Sequence, residues 1–205
     1  YLNPPVLQNF TNNGTTGDFG ASYGRDFSNH DRLNFSVRHE FSRFLVPNYL
    51  VQEAAGQRQD RDNFETMGIV SYQHLFSQNV VGDLHGMVRD DSEGFTSNPF
   101  STPIIVFQQN GFREGYFKGT ISIHHGHQEW KAGVESDSTF LREQFSDVIT
   151  DFTQFDPGTP GIFNFAAHRP DLEQSAFVQD LIRAGKWTVS AGLRWDHYQL
   201  LLNQN

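Results

Sequence analysis

The sequence contains no cysteine. That excludes a disulfide scaffold, a cysteine nucleophile and any thiolate metal site. No apolar run approaches the ~20 residues of a membrane-spanning helix, which excludes a helical membrane protein and leaves open one that spans by strands. Cations are scarce: 15 Lys and Arg stand against 24 Asp and Glu, for a net charge of -9. A phosphate-tracking surface needs excess Lys and Arg, so nucleic acid is not an expected partner. Aliphatic residues are sparse as well. Only 37% of the 205 residues are hydrophobic, yet 20 are Phe, a supply that suits aromatic surface better than an ordinary soluble core.

Catalytic patterns are missing too. There is no Gly-x-Ser-x-Gly elbow and no His-Glu-x-x-His. Asp18-Phe19-Gly20 matches a kinase triplet, but neither a Gly-rich loop nor a catalytic loop accompanies it. His124, His125 and His127 offer imidazoles, the commonest metal ligands. A zinc site needs three or four converging ligands, and the spacing supplies no carboxylate partner, so a solvated turn is the better account. His39-Glu40 reads the same way. Asp60-Arg61-Asp62-Asn63 lacks the Gly and terminal Glu of a calcium loop. The chain is therefore read as not an enzyme, without cofactor or metal.

What is present is alternation of apolar and polar residues, the mark of strands with two unlike faces. It runs through Leu33–Phe41, Phe64–Phe76, Val80–Val88, Tyr116–His124, Trp130–Glu135 and Trp187–Asp196. Short turns are expected at 28–31, 77–79, 125–128 and 183–186, and long polar connections at roughly 46–63, 90–113 and 138–172. Short and long links thus alternate, as they do between the two rims of an outer-membrane barrel. Loops of that length are uncommon in compact soluble domains. Acidity follows the long links, with net -1 over 46–63, -2 over 89–115 and -5 over 137–173.

The expected fold is all-β: an antiparallel up-and-down meander of about eight strands, a segment of a large transmembrane β-barrel. Most strands are expected to run nine to thirteen residues, and a tilted spanning strand needs ~9–11. One set of alternate positions is then lipid-facing: Leu33, Phe35, Val37, Leu84, Phe117, Ile121, Ile123, Trp130, Val134, Trp187, Val189, Leu193 and Trp195. The other set is lumen-facing: Arg38, Glu40, Asp83, Arg89, Lys118, Lys131, Glu135, Arg194 and Asp196. Their expected work is contact with a plug or solute, or cross-strand pairing that sets register. Outward glycines at 82, 86 and 119 weaken strands unless neighbours cover them. In the 125–128 hairpin, a four-residue loop puts Lys118 opposite Glu135, Ile121 opposite Ala132 and Ile123 opposite Trp130. A one-residue slip would invert the faces. Residues 169–185 read equally as helix or strand, with Pro170 and Gly185 placed as helix ends.

Gln174-Ser-Ala-Phe-Val-Gln-Asp180, a short turn and Trp187-Thr-Val-Ser-Ala-Gly-Leu-Arg-Trp-Asp-His197 resemble two strands of the TonB-dependent receptor barrel. His127-Gln-Glu-Trp-Lys-Ala-Gly-Val-Glu135 resembles a third. Gly111-Phe-Arg-Glu-Gly-Tyr-Phe-Lys118 is similar to the Oar-like branch, whose chains carry a carboxypeptidase-regulatory-like domain. The resemblance covers most of 17–198 and implies an outer-membrane barrel of about 22 strands in the bacterial outer membrane. It also implies outer-membrane lipid, the receptor's own plug and TonB as partners, an unknown bulky solute as cargo, and strand for 171–183. Residues 1–205 would be a partial barrel domain, with Tyr1 and 199–205 as breaks in a longer chain. The rival readings are a passive structural or adhesive barrel and a soluble sandwich that binds carbohydrate through its aromatic residues.

Overall fold

The computed structural model describes residues 13–200; the two end segments that carry Tyr1 and Asn205 lie outside the described residues. The described residues form eight strands, six of them grown from the alternating segments: β1 (Gly14–Asp26), β2 (Asp31–Leu45), β3 (Gln59–Ser77), β4 (Val80–Ser97), β5 (Ile104–His125), β6 (Gln128–Ile149), β7 (Ile162–Ala184) and β8 (Trp187–Leu200). Every strand pairs antiparallel with its sequence neighbour in one sheet of order β1 to β8. Residues 169–185 fall in β7 and the turn after it. Pairing with β6 and β8 settles a choice that propensity alone leaves open.

The turns at one rim are tight. Gly126 and Gly185 have φ of +59° and +61°, and each begins a two-residue turn after β5 or β7. A left-handed residue in that first position matches the right-handed twist of the flanking strands, and glycine adopts it without a steric penalty. The β5–β6 register is the anticipated one, with Lys118↔Glu135, Ile121↔Ala132 and Ile123↔Trp130. His125 also pairs with Gln128, so the loop itself is two residues shorter.

The links at the other rim are shorter than the sequence suggests. They occupy 46–58, 98–103 and 150–161, not 46–63, 90–113 and 138–172. The strands are correspondingly longer, up to 23 residues in β7. The reason lies in what alternation reports. A strand shows period two only where one face is apolar, whereas the ladder itself is made by backbone groups. Beyond that stretch polar and apolar residues mix on both faces, and pairs such as Glu93↔Asn110 and Asp147↔Phe163 continue unannounced. β1, rich in Gly and Thr, carries too few apolar residues for the pattern to mark it.

The long links are joined to one another. Gln57 is buried; its Nε2 donates to Asn48 Oδ1 at 2.7 Å and its Oε1 accepts from the Thr102 backbone N–H at 3.0 Å. Asn98 Nδ2 donates to the Gly56 carbonyl at 2.7 Å. Thr150 Oγ1 donates to the Ser101 carbonyl at 2.9 Å. The first link also holds the short helix α1 (Leu50–Ala54).

The sheet has no second layer among the described residues. Substantial contacts run only between adjacent strands, and Ile149 alone among the described hydrophobic side chains is buried. A sandwich needs a facing sheet ~10 Å away; here both faces lie open. β1 and β8 each have one hydrogen-bonded neighbour among the described strands.

Candidate functional site: the charged face

The register sorts side chains onto two faces, because cross-strand partners project to the same side. Following the pairs from β2 to β8 places Arg38, Glu40, Asp83, Arg89, Lys118, Lys131, Glu135, Arg194 and Asp196 all on one face. Leu33, Phe35, Val37, Leu84, Phe117, Ile121, Ile123, Trp130, Val134, Trp187, Val189, Leu193 and Trp195 all fall on the other.

Three ionic groups organise the charged face. Near β1, Arg38 binds Asp18 at 2.7 Å and Glu40 at 2.9 Å. In the middle, Arg89 binds Glu65 at 2.5 Å, approaches Glu114 at 4.0 Å and lies over the Phe112 ring at 5.1 Å. Toward β8, Glu135 pairs with Lys118 and, at 3.2 Å, with Arg194, which also binds Asp196 at 2.8 Å. Between these groups, Gln73 Nε2 donates to Asp83 at 2.9 Å. Lys131 makes no ion pair among the described residues. Asp18, Glu65 and Glu114 belong to this face although the sequence reading did not single them out. Parity within Phe64–Phe76 already places Glu65, and parity extended two residues before Tyr116 places Glu114; Asp18 sits in the strand that alternation misses. His124 and His125, adjacent on a strand, point to opposite faces, and no metal-ligating group of three or more His, Asp or Glu forms among the described residues.

The opposite face is an exposed apolar band at the tight-turn end. On β4 it reads Val80, Gly82, Leu84, Gly86 and Val88; on β8 it reads Trp187, Val189, Ala191, Leu193 and Trp195. Leu193 is 78% exposed and Trp187 77%. The glycines are covered by larger neighbours, as the sequence reading required: Phe76 lies over Gly82, Val70 over Gly86, and Leu84 with Phe117 over Gly119. Polar groups interrupt the band in two places: Asp31 with His74, paired at 2.6 Å beside Gly82, and Asp180. The latter is buried beside Trp130 and Ala191, with Oδ1 unpaired. Past Val88, on β4 and its neighbours, the same face becomes polar: Thr66, Asp90, Arg113 and Ser138. From Val80 to Val88 the strand rises ~27 Å, or ~20 Å at a ~40° tilt, close to the ~25 Å apolar height of an outer-membrane barrel.

The family described as "TonB dependent receptor-like, beta-barrel" matches residues 1–204. The chain belongs to that family. TonB-dependent receptor barrels lie in the bacterial outer membrane, and they are transporters, not enzymes. No curated protein matches the chain. Among solved structures it is similar to the RagAB peptide transporter, at 8% identity and TM-score 0.63, covering 91% of this chain and 28% of that one. It is also similar to the siderophore receptor PiuA from Acinetobacter baumannii, at 10% identity and TM-score 0.54, covering 96% of this chain and 37% of that one. BauA, the ferric preacinetobactin receptor from the same organism, gives 9% identity and TM-score 0.57 over 96% and 37%. At these identities the likeness is one of fold, and the chain spans roughly a third of each receptor's length. The eight-stranded meander is thus part of a TonB-dependent receptor barrel.

Proposed function

We propose that this chain forms one wall of a transporter that takes up a bulky solute across the outer membrane, with energy supplied from the inner membrane through TonB. The observation that carries this reading is a single sheet with one exposed apolar band and one charged face. A protein interior would cover that band; hydrocarbon is the other medium in which such a surface is stable. The charged face, with Arg38, Arg89, Lys118, Glu135 and Arg194, then lines the lumen and meets the plug or the passing solute. Unpaired strand edges are not tolerated in lipid, so β1 and β8 are met by further strands of the same barrel, and residues 1–205 form a partial barrel domain. The Gly111–Lys118 segment supports membership of the Oar-like branch, which an upstream carboxypeptidase-regulatory-like domain would bear out.

The test is an arginine scan of the intact receptor. Val189→Arg and Leu193→Arg, each midway between the centre of the band and one edge, should cost between the ~0–1 kcal/mol of an interface and the ~2–4 kcal/mol of the midplane and hinder assembly, while Ser190→Arg assembles. Equal tolerance on the two faces would overturn the assignment. Loss of binding to the periplasmic domain of TonB, once the receptor's TonB-contacting segment is deleted, tests the energy source.

A further inference from the structure

The polar interruption at Asp31 lies where the outward side of the sheet meets the tight-turn rim. Asp31 opens β2 directly after the first tight turn, and its partner His74 stands three residues before the end of β3. One row farther from the turn, Leu33 pairs with Arg25 of β1 and Tyr72 of β3. By register all five share the face of Phe35 and Val37, so neither plug nor solute in the lumen reaches them.

Two opposite charges stand here without pairing to each other. Asp31 is 28% exposed and accepts from Ser28 Oγ, Tyr72 Oη and His74 Nδ1, each at 2.6 Å. A carboxylate has about four acceptor sites, and Ser28 is the only donor printed on Oδ2 among the described residues. Oδ2 thus keeps one site open. Arg25 is exposed, makes no ion pair among the described residues and lies over the Phe27 ring at 5.6 Å. Strand spacing puts the Arg25 and Asp31 Cα atoms ~8 Å apart.

An apolar recess adjoins the pair. About 500 Å³ opens on the same face, lined by the Phe76 and Phe117 rings, with Gly82, Gly119 and Ala132 along it and His74 at its edge. It leads from the Asp31 row toward the middle of the band: His74 pairs with Gly82, and Phe117 pairs with Gly86, two outward rows farther in. The parts are therefore ordered by depth. Hydrocarbon surface lies deepest, the Arg25 guanidinium is rooted nearer the rim, and the Asp31 carboxylate is outermost. A phospholipid has its own parts in that order: acyl chain, phosphate, then headgroup terminus. A guanidinium fork matches phosphate oxygens, and a free carboxylate acceptor calls for a cationic N–H donor. Tight turns face the periplasm in such barrels, so the leaflet is the inner one.

We infer that this corner binds an inner-leaflet phospholipid carrying a primary ammonium, with the phosphate on Arg25, the ammonium on Asp31 and an acyl chain in the recess between Phe76 and Phe117. This rests on the reading of the apolar band as lipid-facing. A phosphoglycerol headgroup brings Asp31 hydroxyls without charge, and a trimethylammonium brings charge without an N–H, so both bind less tightly. The test titrates the intact receptor in detergent micelles with phosphatidylethanolamine, phosphatidylcholine and phosphatidylglycerol of identical chains, and follows bound lipid by native mass spectrometry. Phosphatidylethanolamine should bind about tenfold more tightly than either. Arg25→Gln should weaken its binding by about tenfold, and Asp31→Asn should erase its advantage over phosphatidylcholine, with Lys131→Gln on the opposite face unchanged. Asp31 also braces the turn through Ser28; Arg25→Gln breaks no ion pair and decides the matter if Asp31→Asn does not assemble. Equal wild-type affinity for the three lipids, or phosphatidylethanolamine binding untouched by Arg25→Gln, overturns the inference. A nitroxide on Val189→Cys separates this failure from the broader one. If lipid-soluble relaxants broaden its signal, the band still faces lipid and only the headgroup site is lost; if they do not, the membrane reading itself fails.

Discussion

Lys118 stands directly opposite Glu135 in the β5–β6 ladder, and its ammonium donates to the Glu135 carboxylate. The same carboxylate accepts from Arg194 of β8, two strands away, at 3.2 Å, and from Ser175 Oγ of the intervening β7 at 3.4 Å. One half-buried anion therefore ties four strands together. Truncating Glu135 leaves two cations without their common acceptor, whereas truncating Lys118 leaves Glu135 its contact with Arg194. In urea unfolding of the vesicle-inserted receptor, Glu135→Ala should cost about 1–3 kcal/mol and Lys118→Met distinctly less. A double-mutant cycle should give a Lys118–Glu135 coupling of about 1 kcal/mol. Strict additivity would mean that the pair contributes nothing beyond register.

Gly133 and Gly115 give opposite outcomes for one substitution. A Cβ at Gly133 would lie 2.7 Å from the Phe177 ring and 2.8 Å from the Gly119 carbonyl oxygen, while at Gly115 it meets nothing within 4 Å. The Phe177 ring packs over the bare backbone of Gly133, one strand away. Gly133→Ala has to move both a ring and a backbone oxygen, so it destabilises. Gly115→Ala is free to adopt its strand conformation, and by restricting the unfolded chain it should stabilise by about 0.4–1 kcal/mol. Unfolding midpoints of the two variants check the sign directly.

The outcome at these positions shows what the sequence could and could not disclose. Faces were legible wherever apolar residues alternated, because period two follows from strand geometry alone; hence Lys118 was matched to Glu135 and Ile123 to Trp130. Strand ends were not legible. Glu93 and Asn110, or Asp147 and Phe163, pair through backbone groups that every residue type carries. Of the ionic groups, Arg38, Arg89 and Glu135 were found by parity, but Asp18 was not, since β1 has too few apolar residues to reveal its phase. The join of the long links through Gln57 and Asn98 depends on three separated loops meeting in space, and nothing local encodes it.

Asp151 lies in the third long link, outside the strands, where it caps the 3₁₀ turn Phe152–Gln154. Its carboxylate accepts from Thr153 Oγ1 at 2.6 Å, Gln154 Nε2 at 3.0 Å and the Thr153 backbone N–H at 3.0 Å. The Thr153 and Gln154 side-chain donors, then the Thr153 amide, hold its pKa below the ordinary aspartate range. The sign follows from linkage: a carboxyl that is more acidic folded than unfolded stabilises the turn fully above its unfolded pKa of ~3.9 and loses that contribution as pH falls through the folded value. The Thr153 amide resonance should therefore titrate with a midpoint below that of a free aspartate. Asp151→Ala should abolish the transition and leave the turn equally loose at pH 7 and pH 3.

Trp187 and Trp195 bracket the apolar band on one strand. Both are on the apolar face, with Val189, Ala191 and Leu193 between them. The eight-residue step from 187 to 195 spans ~26 Å along the strand and ~20 Å vertically at a ~40° tilt. Indole rings prefer the zone where hydrocarbon meets headgroup, since one edge is apolar and the N–H seeks a polar partner. The two side chains should therefore occupy opposite interfaces of one bilayer. In the vesicle-inserted receptor, lipids brominated near the headgroup should quench the component lost in Trp187→Phe and the component lost in Trp195→Phe more strongly than lipids brominated near the chain end. Aqueous acrylamide added outside should separate the two, reaching Trp195, at the rim of the long links, before Trp187. Equal quenching of both by mid-chain bromines would put them at one depth, and the strand would then not cross the membrane at the angle its residue spacing requires.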